Sequence, residues 1–104
     1  CWPAMKPPRV LAFDLGGTRL KAGLVDPAAA RVLRRRVEPS PPGAAEALAL
    51  VARVGRELAA GDAVAAVGLC LPGLVDGSGR VVALPGKLDG IVGLDLVGCL
   101  QAAF

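Results

Sequence analysis

The chain has 104 residues and a formal net charge of +3, and 54% of its residues are hydrophobic while only 3% are aromatic. This length allows at most one domain, whose core must come mainly from alanine, valine and leucine. The charged fraction of 20% excludes a highly charged, disordered chain. Because there is no histidine and the three cysteines (Cys1, Cys70 and Cys99) lack metal-ligand spacing, zinc binding and histidine-based catalysis are excluded within this chain.

Neither a membrane helix nor a signal peptide is predicted. The longest apolar stretch, residues 63–75, is interrupted by Pro72 and Gly73. Residues 1–8 form an unstructured, Pro-rich lead without the pattern of a signal peptide. We therefore expect a cytoplasmic protein without a membrane partner. Because the chain starts on Cys1 rather than methionine and stops inside a predicted helix, we also expect a fragment of a longer protein.

The first part of the chain predicts three short strands. They lie at residues 10–14, 19–25 and 31–37 and are linked by tight turns. The third strand carries most of the arginines, and a charged strand of this kind is typical of a sheet edge, where charge discourages pairing with other chains.

The remaining part predicts two helices with strands between them. Ser40, followed by two prolines, is a helix-start signal with a capping hydroxyl, and Gly61 is a helix-end signal. Apolar residues at helical spacing between them predict an amphipathic helix that covers one face of a sheet. Residues 63–71 predict a central strand buried on both faces, residues 80–84 a short strand, and residues 94–104 a second helix. The order β-β-β-α-β-(β)-α predicts an α/β fold with a mixed sheet.

The sequence Asp14-Leu15-Gly16-Gly17-Thr18 connects the first two predicted strands. An acid, two glycines and a hydroxyl in this order suit the phosphates of a nucleotide. Glycines permit positive φ and close approach, amides and the Thr18 hydroxyl donate to phosphate oxygens, and Asp14 faces Mg²⁺. The alternative is a β-hairpin in which the glycines only close the turn. Because short glycine motifs recur by chance, these residues alone leave both interpretations open.

A second motif begins at the end of the predicted central strand. This strand leads into Pro72-Gly73, and Asp76 then precedes a glycine turn and another short strand. With both motifs in this order, residues 9–104 resemble the ROK family, named for repressors, open reading frames and kinases. The family includes bacterial glucokinases of the actin/hexokinase ATPase superfamily. The resemblance implies a ribonuclease-H-like fold, of which residues 9–104 form part of the N-terminal nucleotide- and sugar-binding lobe.

The resemblance also implies roles for individual residues. In the family, ATP binds between this lobe and a larger C-terminal lobe. Asp14 is implied to hold Mg²⁺ through water, and Gly16, Gly17 and Thr18 are implied to form the first phosphate loop. Gly73 is implied to lie at the sugar-facing end of the central strand.

Four further residues have open roles. Arg19 and Lys21 follow the glycine loop and either contact phosphate or point to solvent. Where family glucokinases place an asparagine that binds a sugar hydroxyl, this chain has Lys87, which carries donors but no acceptor. Either the substrate is another sugar, such as an acidic or N-acetylated one, or Lys87 points to solvent and Asp89 takes part in binding.

The resemblance places the general base after Phe104, and the zinc-binding cluster and adenine pocket further on. Because a positioned base contributes about 10²–10⁴ in rate, we expect this chain alone not to phosphorylate a sugar. The leading hypothesis is therefore the N-terminal part of a sugar kinase that uses ATP and Mg²⁺, with structural zinc only in the missing lobe. Polyphosphate stays open as the donor, and we expect the full-length protein to be a homo-oligomer.

Two other classes of protein stay open. A sugar-sensing ROK-type transcriptional regulator carries a helix-turn-helix segment before this lobe, whereas only eight residues precede the first strand here. The basic residues 31–36 lack interleaved aromatic residues, so we do not expect a nucleic-acid partner. A non-catalytic α/β module without its partner lobe is expected to fold as a monomer without nucleotide affinity.

Overall fold

The structure, a computed structural model, describes residues 8–71, 74–75, 77–78, 80–83 and 95–104. Its elements, in chain order, are β1 (Arg9–Leu15), β2 (Arg19–Asp26), β3 (Arg31–Pro39), α1 (Ala44–Ala59), β4 (Val64–Cys70), β5 (Leu74–Val75), β6 (Val81–Ala83) and α2 (Leu96–Ala103). The predicted α/β order is confirmed, and the short strand β5 is an addition to it. The described helices are not long and apolar enough to cross a membrane.

Four strands form one mixed sheet in the order β3-β2-β1-β4. The pairs β1–β2 and β2–β3 are antiparallel, as expected for strands joined by short turns. By contrast, β4 is parallel to β1, and α1 provides the crossover connection that a parallel pair needs. The strands β5 and β6 pair with each other as a separate antiparallel hairpin.

The core lies between one face of the sheet and α1. Alternate residues of β1 and β2 point to this face because side chains alternate along a strand. The buried hydrophobic side chains of the two strands are Leu11, Phe13, Leu15, Leu20, Ala22 and Leu24. Those of α1 are Ala44, Ala47, Leu50, Val51, Val54, Leu58 and Ala59. Of the intervening strand residues, Ala12, Asp14 and Lys21 are exposed on the opposite face.

The ends of α1 differ in part from the prediction. Its N-cap is Gly43, which makes no side-chain capping hydrogen bond, so the prediction that the Ser40 hydroxyl caps this helix is wrong. Ser40 lies three residues earlier, where its hydroxyl instead contacts the loop between β1 and β2. At the other end, Ala60 adopts the left-handed conformation and Gly61 follows with φ of 88°, which ends the helix near the predicted position.

The strand β4 is not a central strand buried on both faces, so that prediction is also wrong for the described part of the chain. It lies at an edge of the four-stranded sheet. Val67 and Leu69 pack against the core, but Gly68 and Cys70 are exposed on the other face. The physical reason is that α1 covers one face of the sheet only, and a continuous apolar sequence does not show how many faces are covered.

The second helix docks through its first and last residues. Asp95 caps α2, accepting a hydrogen bond from the Gly98 N–H at 3.0 Å, and Leu96 is buried. The Phe104 ring stacks on Phe13 with 6.0 Å between ring centroids. The apolar side chains of this helix are only partly covered, since Val97 is 47% exposed.

Candidate nucleotide-phosphate site

The candidate site lies where the hairpin of β1 and β2 turns, on the sheet face away from α1. Asp14 in β1 is opposite Lys21 in β2 and next to Cys70 in β4. All three residues are exposed because their sequence neighbours fill the core on the other face. The alternation of the two strands therefore places a carboxylate and an ammonium group on one open surface.

The loop of Gly16, Gly17 and Thr18 is closed by three hydrogen bonds. The Gly16 N–H donates to the Arg19 carbonyl at 2.9 Å, and the Ser40 N–H donates to the Thr18 carbonyl at 3.0 Å. The Ser40 hydroxyl donates to the Gly16 carbonyl at 2.9 Å. Hydrogen bonds therefore hold the loop both within the hairpin and to Ser40, which follows β3.

Close approach, rather than positive φ, explains the glycine at position 16. Among the described residues, positive φ occurs at Ala30, Ala60 and Gly61, so the expected use of positive φ in the glycine loop is wrong. A Cβ atom at Gly16 would lie 3.2 Å from the Arg19 carbonyl oxygen, which is tighter than most real contacts. The glycine therefore lets the two strands of the hairpin approach each other at the turn.

A cavity of about 560 Å³ opens beside this loop. Its lining residues are Asp14, Gly16, Thr18, Arg19 and Lys21. They supply one carboxylate, two cations and a hydroxyl, a set that can bind an anion and a metal ion together. The structure thus brings together the predicted residues Asp14, Gly16 and Thr18, with Gly17 between the last two. Arg19 and Lys21, whose roles the sequence left open, both line the cavity.

The donor set fits a magnesium ion that arrives with its nucleotide. The described residues contain no group of three or more carboxylate, cysteine or histidine side chains that could hold a metal ion by themselves. Mg²⁺ commonly takes one or two carboxylates and completes its shell with water and substrate phosphates. Asp14 can provide that single carboxylate.

The sugar side of the predicted site cannot be compared with the structure. Gly73, Lys87 and Asp89 lie outside the described residues. Two residues beside the glycine loop were not among the predicted candidates, namely Ser40 and Cys70. Only the sheet register brings Cys70 next to Asp14, and a sequence pattern does not contain that register.

Two arginines of the basic strand β3 contact α1. The Arg34 guanidinium donates to the Leu58 carbonyl at 2.6 Å. The Arg36 guanidinium donates to the Glu38 carboxylate at 2.7 Å and lies 3.5 Å from that of Glu57. The hydrogen bond from Arg36 lowers the pKa of Glu38, and the same bond raises the pKa of Arg36. These arginines therefore connect the edge strand to the helix.

Comparison with known proteins extends this picture. The ROK family matches residues 10–104. A ROK family glucokinase from Streptomyces griseus, solved in complex with glucose and AMPPNP, is 26% identical, with 90% of this chain and 30% of that chain covered and a TM-score of 0.78. The inorganic polyphosphate/ATP-glucomannokinase from Arthrobacter sp. strain KM is 28% identical, with 92% and 40% covered and a TM-score of 0.78. No curated protein matches the chain.

A regulator shares the same fold. The ROK family transcriptional regulator that is a homologue of the E. coli MLC protein has a TM-score of 0.73 at 20% identity, with 93% of this chain and 26% of that chain covered. The chain thus spans well under half of the length of these relatives. The family match begins in β1 and runs through α2, and the two solved kinases share the fold of this chain. This chain belongs to the ROK family.

Proposed function

We propose that this chain forms the phosphate-binding part of an ATP-dependent sugar kinase, which transfers the γ-phosphoryl group of ATP to a sugar hydroxyl. The main observation behind this proposal is the cavity beside the hairpin loop, which is lined by Asp14, Thr18 and Lys21 among others. Support also comes from the similar Streptomyces griseus glucokinase, whose structure contains glucose and AMPPNP. Since the chain spans about a third of such proteins, the complete reaction is proposed for the full-length protein.

The chain's own residues would bind and orient the phosphates. The backbone of Gly16 and Gly17 allows close approach, and the Thr18 hydroxyl can donate to a phosphate oxygen. Asp14 would hold Mg²⁺ through water, because Mg²⁺ commonly keeps several waters of its own shell and takes only one or two carboxylates. Bound Mg²⁺ neutralises charge that develops on the transferred group.

The chain by itself is proposed to bind Mg²⁺-ATP without phosphorylating sugars, because the family's general base is expected beyond Phe104. Titration of the isotope-labelled chain with Mg²⁺-ATP, followed by backbone amide resonances, tests binding. We expect the largest shifts at Gly16, Gly17 and Thr18 and their loss in Asp14→Asn. An unperturbed loop at saturating nucleotide contradicts the proposed function. Sugar turnover above background by this chain contradicts its proposed inactivity.

The sugar-binding residues remain part of the proposal. Gly73 would lie near the sugar, and Lys87 or Asp89 would contact it. Since Lys87 is a cation, an acidic or N-acetylated sugar fits the chain better than glucose itself. The test measures phosphorylation of neutral, N-acetylated and acidic sugars by the full-length protein and by its Lys87→Ala variant. If both proteins show the same preference between glucose and the other sugars, the proposed role of Lys87 is contradicted.

A regulatory function is the alternative, and the basic strand gives it little support. Arg34 donates a hydrogen bond to α1 and Arg36 pairs with Glu38, so both guanidinium groups already have partners within the chain. A DNA-binding segment would have to come from outside this chain. Salt-dependent DNA binding by the chain, lost when Arg35 is replaced by alanine, would favour a nucleic-acid partner and count against this proposal.

A further inference from the structure

Ser40 contacts the candidate phosphate loop from outside the glycine motif. It lies directly after β3 and is partly buried. Its hydroxyl donates to the Gly16 carbonyl at 2.9 Å, and its N–H donates to the Thr18 carbonyl at 3.0 Å. One residue therefore binds two carbonyl groups on either side of Gly17.

The hydroxyl bond determines which way the Gly16–Gly17 peptide points. The described peptide bonds include no cis bond, and in a trans peptide the N–H points opposite to the C=O. Because the Gly16 carbonyl points toward Ser40, the Gly17 N–H points away from it. This N–H is not among the donors that close the loop. A backbone N–H held in this way is a donor of the kind that phosphate oxygens accept.

The prolines around Ser40 favour its contact with the glycine loop. Pro39 precedes it and two prolines follow it, so Ser40 supplies the only backbone N–H in residues 39–42. A residue before proline is also restricted to extended conformations, which limits the freedom that Ser40 must lose to contact the loop. That single N–H is bonded to Thr18, and the helix that the hydroxyl was expected to cap begins further on.

We propose that Ser40 is a positioning residue for the phosphate loop: its hydroxyl holds the Gly16 carbonyl so that the Gly17 N–H is presented to the nucleotide phosphates, and its N–H holds the Thr18 carbonyl. The proposal rests on the proposed function of the site. Ser40 touches no phosphate itself and acts through the loop. Its hydroxyl is the part that can be removed without changing the backbone.

The test compares Ser40→Ala with Ser40→Thr in titrations with Mg²⁺-ATP and with Mg²⁺-tripolyphosphate. Ser40→Ala loses one hydrogen bond, so we expect affinity for both probes to fall about three- to tenfold. The Gly17 amide shift on binding should shrink. Ser40→Thr keeps a hydroxyl and should bind within about twofold of the unsubstituted chain. Val54→Ala, which removes core contacts in α1, serves as the matched control for lost stability and should keep its affinity once the folded fraction is corrected.

The outcomes separate this proposal from the function on which it rests. Unchanged affinity and an unchanged Gly17 shift in Ser40→Ala, while Asp14→Asn loses binding, overturn the role of Ser40 alone. An equal loss of affinity in Val54→Ala also overturns it, since stability would then explain the effect. Failure of the unsubstituted chain to bind either probe contradicts the proposed function and this proposal together.

Discussion

We expect the replacement Gly55→Ala to lower the free energy of unfolding when residue 104 is phenylalanine. When residue 104 is alanine, the same replacement should leave this free energy unchanged or raise it. Gly55 is buried in α1, where a Cβ atom would lie 2.5 Å from the Phe104 ring and 3.0 Å from the Phe13 ring. The Phe104 ring must therefore move. In a helix without this contact, the same replacement stabilises the protein by about 0.5–1 kcal/mol.

The expected cost follows from what Phe104 contributes in place. It is 41% exposed, so nearly three fifths of its surface is buried. With about 200 Å² for a fully buried phenylalanine and about 25 cal/mol per Å², the ring contributes about 3 kcal/mol as an upper estimate. Its stacking on Phe13 adds about 1 kcal/mol. Since the ring can move aside without losing every contact, we expect Gly55→Ala to lower the free energy of unfolding by about 2 kcal/mol, after the gain in helix propensity is included.

Urea denaturation of four chains measures this coupling: the unsubstituted chain, Gly55→Ala, Phe104→Ala and the double variant. In the Phe104→Ala background, Gly55→Ala should be neutral or stabilising by up to about 1 kcal/mol. Hydrogen exchange should show faster exchange in α2 of the single variant Gly55→Ala, while β1 and β2 keep their protection. Equal destabilisation by Gly55→Ala in both backgrounds refutes the argument, because the cost would then not come from Phe104.

Three further predictions concern the core, the edge strand and the site. Leu24→Ala, at a fully buried position of β2, should lower the free energy of unfolding by about 2–5 kcal/mol in urea, whereas Leu33→Ala, at an exposed position of β3, should change it by less than about 1 kcal/mol. Pairing with Arg36 lowers the pKa of Glu38, so the pair stabilises the folded state fully above pH 4.5, the ordinary pKa of the carboxyl group. This stabilisation is lost as the pH falls from 4.5 through the lowered pKa, because the carboxylate is then protonated. Glu38→Gln should therefore flatten this part of a plot of stability against pH. Asp14→Asn should abolish the Mg²⁺ dependence of ATP affinity with an unchanged urea midpoint, and a retained Mg²⁺ dependence contradicts the metal role of Asp14.

Local patterns determined most of the elements and half of the candidate site. Alternation in β1 and β2 indicated which residues fill the core, and the helical spacing in α1 indicated the face that covers them. Asp14 and the glycine loop could be predicted as a candidate site because they form a contiguous motif, and Asp14, Gly16 and Thr18 line one cavity. The charged edge strand β3 was also predictable, since solvent exposure at an edge favours charge.

Tertiary structure decided the features that depend on distant pairing. The sequence predicted a helix cap at Ser40, but the register of β2 and β3 brings that residue to the glycine loop instead. It predicted a central strand at β4, whereas β4 pairs with β1 alone and lies at an edge of the described sheet. Hydrophobicity and local propensity act between neighbours along the chain, so they predict elements and contiguous motifs. Which carbonyl a hydroxyl reaches, and which strand face is covered, depends on residues far apart in sequence, and only the folded chain brings them together.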